Sequence, residues 1–334
     1  MRRLVLSIAV VVLMTCVISL SLHLKLNTPQ KALTPPILSQ HAYAKMKVKL
    51  FTLVDQQNPR IAIEWLKKQM ETDPNARGFC HELLHETGRH AYGKYHDFTK
   101  ALSYRDEVCV AGYIHGVIEA YFKSSADLFT SIKMVCADHP GGKYITWECY
   151  HGVGHGLMYY TDNNVPASLD YCESYDTPFA RSACANGVFM ENASADHDNH
   201  PSKFLKSEDA FYPCDVFPYK SDCYMNAPVR FLATHNNDYR RAFTWCHDAH
   251  EYESDCIYGV ASQMTRRNMG HEEEMQTMCA SLTSPKNGTC IKSMVVWYIT
   301  YYGRLNEARS LCDRLHQSNK PLCKKVVAAY VPQL

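Results

Sequence analysis

From about residue 41 onward, apolar and polar positions recur every three to four residues, and strand-like alternation is almost absent. Pro59 to Met70 sets Ile61, Ile63 and Leu66 among Glu64, Lys67 and Lys68, and Glu272 to Leu282 and Leu305 to Leu315 repeat the pattern. Such spacing lays one apolar stripe along a helix. Turn signals interrupt it at Pro140-Gly141-Gly142, Asn163 to Pro166, Ser284 to Gly288 and Ser318 to Pro321. The expected class is all-α.

The cysteines expose a period. Cys149, Cys184, Cys223, Cys256, Cys290 and Cys323 follow one another at intervals of 33 to 39 residues, and each is preceded 9 to 13 residues earlier by Cys136, Cys172, Cys214, Cys246, Cys279 and Cys312. The unit is a short helix ending in cysteine, a loop, and a longer helix opening with cysteine. Each pair is expected to close a disulfide across its own hairpin, leaving Cys80 to pair with Cys109. A period near 34 residues with two helices per unit predicts a right-handed α-solenoid of about seven disulfide-clipped hairpins. In period and layout, over roughly residues 55 to 330, the chain resembles the tetratricopeptide-type helical-hairpin repeats. The resemblance is architectural and implies nothing about chemistry.

The N-terminus reads Met1-Arg2-Arg3 followed by an uncharged run from Leu4 to Leu22. Its length suffices to span a bilayer, and the arginines would keep the N-terminus in the cytoplasm. Residues 1–26 are therefore expected to be a membrane anchor, or a cleaved signal, with membrane attachment through 4–22. Residues 27–40, with Pro29, Pro35 and Pro36, would form a stalk. Residues 41–160 would hold the N-terminal repeats and 161–334 the remaining disulfide-clipped repeats. With Cys16 set aside, fourteen of the fifteen cysteines remain to pair. That number points to an extracytoplasmic, oxidising location. A formal charge of +1 over 334 residues gives no pull toward nucleic acid.

Candidate chemistry is concentrated in histidines. Cys80-His81-Glu82-Leu83-Leu84-His85, Cys109 to Gly116 and Cys149-Tyr150-His151-Gly152-Val153-Gly154-His155 align when His85, His115 and His155 coincide, which places His151 over His81. Residues four apart share a helix face, the arrangement by which a helix offers two imidazoles to one ion. The row stops there, because the next repeat has Asn186 and Met190 at these places. His81, His85, His115, His151 and His155 are the candidate metal ligands, with Glu119, one turn beyond His115, as a further candidate. His90, His96, His235, His247, His250, His271 and His316 lack the register and read as surface or packing residues.

His81-Glu82-Leu83-Leu84-His85 also resembles the H-E-x-x-H motif of zinc metallopeptidases. The resemblance implies His81 and His85 as ligands and Glu82 as general base. The third histidine of the longer motif would fall at Ala91, where this chain has none. Imidazole sites suit zinc first and copper or iron second. The expected function is that of an exported metal-binding repeat protein acting as a metal-dependent hydrolase. The alternatives are a non-catalytic scaffold that binds a peptide or protein in the concave groove of the coil, and a copper or iron oxidative enzyme or metal carrier.

Overall fold

The computed structural model describes residues 33, 37–136, 142–195 and 202–331. The chain divides into two compact units, Met1–Leu33 and Thr34–Leu334. Of the first only Leu33 is described, and all the described helices belong to the second. The anchor expected at residues 4–22 and most of the stalk lie outside the described residues, as do residues 196–201.

Every regular element among the described residues is helical. The helices are α1 (Gln40–Gln56), α2 (Pro59–Met70), α3 (Pro74–Tyr95), α4 (Phe98–Leu102), α5 (Val108–Ser124), α6 (Leu128–Val135), α7 (Lys143–Tyr160) and α8 (Val165–Cys172). They continue with α9 (Pro178–Ser194), α10 (Lys220–Thr234), α11 (Tyr239–Trp245), a 3-10 turn (Cys246–Tyr252), α12 (Glu253–Asn268), α13 (Glu272–Ala280), α14 (Lys286–Tyr302), α15 (Leu305–Arg314) and α16 (Lys320–Tyr330). Their starts are written locally. Asn58, Asp73 and Thr177 each accept a hydrogen bond from a backbone N–H of the first turn, and each is followed by a proline. Caps of this kind stabilise a helix by about 1 kcal/mol, and proline costs nothing at a position whose N–H has no helical partner.

Disulfides join Cys80 to Cys109, Cys136 to Cys149, Cys172 to Cys184, Cys214 to Cys223, Cys246 to Cys256, Cys279 to Cys290 and Cys312 to Cys323. Six of them close short loops at the entry to a long helix. Seven disulfides are compatible with an extracytoplasmic location. Membrane attachment, by contrast, is corrected: no helix among the described residues is long and apolar enough to cross a membrane.

The long helices α3, α5, α7, α9, α10, α12 and α14 pack in chain order, each on the next. The series then turns back, because α14 also packs on α5. Trp297 and Tyr301 of α14 share one buried core with Leu83, Leu84, Tyr113 and Val117, and the Tyr301 hydroxyl donates to Arg77 O over 2.7 Å. A coil that stayed open would present a groove. A cavity of about 720 Å³ is lined mainly by α3, α9, α10 and α12.

Candidate metal centre

Three neighbouring helices supply the histidines: α3 carries His81 and His85, α5 carries His115, and α7 carries His151 and His155. Their rings meet. The centroids of His85, His115 and His155 lie 5.1 to 5.4 Å from one another, and His81 and His151 sit 4.4 and 4.8 Å from their partners one turn away. Although α5 lies between α3 and α7, His85 and His155 come within 5.4 Å, so the helices curve about the cluster. His115, His151 and His155 are almost wholly buried, His85 is buried and His81 is partly exposed.

Close helix approach makes this convergence sterically feasible. A Cβ on Gly116 of α5 would stand 2.0 Å from His85 O, and one on Gly152 of α7 would stand 2.5 Å from the His115 ring. At those two positions only hydrogen fits. The helices approach there without side chains between them, more closely than the usual 8 to 10 Å axis spacing requires.

Hydrogen bonds set the tautomers. His81 Nδ1 lies 2.7 Å from Cys109 O, a carbonyl that can only accept, so this nitrogen carries the proton. The backbone is left-handed at Cys109, Val110 and Ala111 before α5 settles into helix. In that conformation the Cys109 carbonyl receives His81. His85 Nδ1 lies 2.7 Å from Glu119 Oε1, and Arg89 donates to the other carboxylate oxygen. His155 Nδ1 repeats the contact with Glu191 Oε2 at 2.7 Å. His115 Nε2 donates to Glu148 O at 3.2 Å, which leaves its Nδ1 bare, buried and without a hydrogen-bond partner among the described residues.

Two lone pairs are thereby set against each other. Burial raises the Glu119 carboxyl while Arg89 opposes the shift; with Glu119 ionised in its pair with Arg89, neutral His81 and His85 both carry the proton on Nδ1 and direct bare Nε2 atoms at one another across 3.0 Å. The second pair has a milder solution. His151 Nδ1 has no partner among the described residues, so His151 can carry its proton on Nε2 and donate it to His155 Nε2, 3.1 Å away. One ring nitrogen from each of His81, His85 and His115 lies within 4.8 Å of the other two, so this buried group could hold a metal ion.

The electrostatics keep most of these rings neutral. Burial, followed by the neighbouring His115, pushes His81 down to about 4, and burial pushes His115 down to about 3. His85 and His151 fall well below the ordinary imidazole value for the same first reason. His155 is the exception: burial works against its charge, but the Glu191 carboxylate prevails and raises it. Glu148, whose Oε2 lies 3.6 Å from His115 Nε2, is raised by burial to about 7.

Other expected residues fall into two groups. Glu119 accepts from His85 and Arg89, and so supports a candidate ligand instead of pointing at the shared space. Glu82 does not join the triad. Its Oε1 accepts from Arg266 of α12, whose charge outweighs burial and lowers the carboxyl; its Oε2 has no partner among the described residues, and the side chain lines the 720 Å³ cavity. His90, left outside the register, stacks on Phe51 and meets Asp55. The residues that spacing did not single out are Arg89, Glu148, Glu191 and Arg266. Arg89 had a readable signal, since it follows His85 by four on the same face. Glu191 and Arg266 had none, because they arrive from α9 and α12.

Comparison with family models, with curated proteins and with solved structures gives no match for this chain. The likeness to hairpin repeats therefore stands on period and layout alone.

Proposed function

We propose that this protein binds a divalent transition-metal ion through His81, His85 and His115, with His151 and His155 completing the cluster, and uses it in hydrolysis. One observation carries the metal reading: two Nε2 lone pairs, each fixed by a donor bond on the far side of its ring, face each other across 3.0 Å. Without a cation between them this contact is repulsive. Nitrogens about 2.1 Å from a common ion and about 3.0 Å apart subtend an angle near 90°, a normal value for two ligands of one metal. A donor bond from each ligand's second nitrogen is also the usual outer support of a histidine metal site. Zinc is the first candidate, copper or iron the second.

The hydrolytic part rests on Glu82. It directly follows His81, Arg266 keeps it ionised, and its side chain lines a cavity able to admit a small substrate. A divalent ion held by the histidines would supply Lewis acidity, and Glu82 would take the proton from attacking water. The frame is read as a right-handed coil of disulfide-clipped hairpins, supported by the packing of the long helices in chain order.

Metal analysis of the purified protein tests the centre. About one equivalent or more of a transition metal is expected, lost in His85→Ala and in His115→Ala; a metal-free wild type that cannot be reloaded rejects the reading. Glu82→Gln should retain the metal. Hydrolysis of model esters or peptides that persists in Glu82→Gln removes Glu82 as the base.

A further inference from the structure

The cavity lined by the long helices has a charge pattern that the metal cluster does not explain. Among the described residues, four arginines line it, Arg77, Arg230, Arg266 and Arg267, against one acidic side chain, Glu82. Arg266 is matched with Glu82. Arg77 donates to the carbonyls of Met70 and Glu71, which satisfy its hydrogen bonds but not its charge. Arg267 donates to the amide oxygen of Asn237, also neutral. Arg230 Nε is buried and has no partner among the described residues. Gln263, only 6% exposed and on the same wall, leaves Oε1 equally unpartnered.

Charged and polar groups left this way are costly unless something fills the space. A buried polar atom without a partner costs about 1 to 3 kcal/mol, and an uncompensated guanidinium costs more. The Arg267 guanidinium is accordingly held below its ordinary value by burial, with Arg266 adding to the effect. A planar guanidinium with free N–H groups matches an oxyanion in geometry as well as charge.

We propose that this cavity binds a small molecule bearing a carboxylate or phosphate group, held by Arg230 and Arg267. Binding is claimed independently of the metal. Only the identification of this molecule as the substrate rests on the hydrolytic reading, since Glu82 lines the same wall.

The test uses the full chain stripped of metal and freed of chelator, so that no ion can bind the probe. Calorimetric titration with inorganic phosphate and, separately, succinate is expected to show saturable binding of at least one, and the tighter of the two identifies the group recognised. Arg230→Gln and Arg267→Gln should each weaken binding about tenfold or more, while Arg309→Gln, at an exposed position on α15, should leave it unchanged. A readout free of folding effects uses the wild type: the binding probe should protect Arg230 and Arg267, but not Arg309, from phenylglyoxal. Lack of saturable binding by both probes, binding insensitive to both substitutions, or absence of protection overturns the proposal. Binding that survives in a His85→Ala variant devoid of metal shows that this site stands even where the metal reading is judged separately.

Discussion

His81 and His85 face each other, Nε2 to Nε2, across 3.0 Å. Each ring is held from behind, one by the carbonyl of Cys109 and the other by the carboxylate of Glu119. The outer partners are as informative as the rings, since they decide where the protons sit and hence where the lone pairs point.

Loosening that hold should weaken metal binding without removing a ligand. Glu119→Gln keeps an acceptor for His85 but breaks the ion pair with Arg89, and should reduce metal affinity by about 10- to 100-fold. Competition against a chromophoric chelator measures it. Affinity equal to wild type would show that Glu119 does not orient His85.

Acid should destabilise the metal-free protein. His81 has its folded-state value lowered from 6.5 to about 4, so between those values the unfolded chain binds a proton that the folded chain does not. Stability is then highest above pH 6.5 and falls as the pH drops toward 4. His81 alone accounts for on the order of 3 kcal/mol, and His115 acts in the same direction. His155, raised by Glu191, works oppositely, its contribution fading as the pH rises through its folded value. Denaturant melts of the metal-free protein at pH 7 and pH 5 should show a loss of a few kcal/mol at pH 5, and equal midpoints would contradict the burial of neutral rings.

Two glycine substitutions should differ in sign. At Gly116 a Cβ would lie 2.0 Å from His85 O, so Gly116→Ala must part α3 from α5, at a cost of about 1 to 3 kcal/mol or more, and should impair metal binding. At Gly93, on the same helix as His85, a Cβ meets nothing within 4 Å. Gly93→Ala should therefore stabilise by about 0.5 to 1 kcal/mol. Thermal melts and metal content of both variants decide the matter; similar behaviour would rule out glycine contact as the cause of helix approach.

Clip removal should affect stability more than the site. Replacing Cys172 and Cys184 together by serine opens a loop with a sequence separation of 12 residues, with an expected loss of about 3 kcal/mol. Metal stoichiometry at low temperature should hold, because α8 and α9 contribute no histidine to the cluster. Loss of metal in the folded double variant would tie the clip to the site.

Much of the protein is legible in one dimension because the physics involved is local. Helical period, a cap followed by proline as at Asn58-Pro59, and a cysteine pair closing a loop of a dozen residues each depend on neighbours in sequence. The i, i+4 pairs His81/His85 and His151/His155 belong to the same class, since a helix turn alone puts both rings on one face.

What only the tertiary structure decided is which groups meet. His115 joins His81 and His85 because glycine lets α5 approach α3, and Glu191, Glu148 and Arg266 reach the cluster or its neighbour Glu82 from other helices. Arg77, Arg230, Arg266 and Arg267 come from three helices, α3, α10 and α12, to line one cavity. Sequence spacing determines the direction a side chain takes from its own helix. The distance between helices depends on atoms far apart in the chain, and a site built across several of them becomes visible only when they pack.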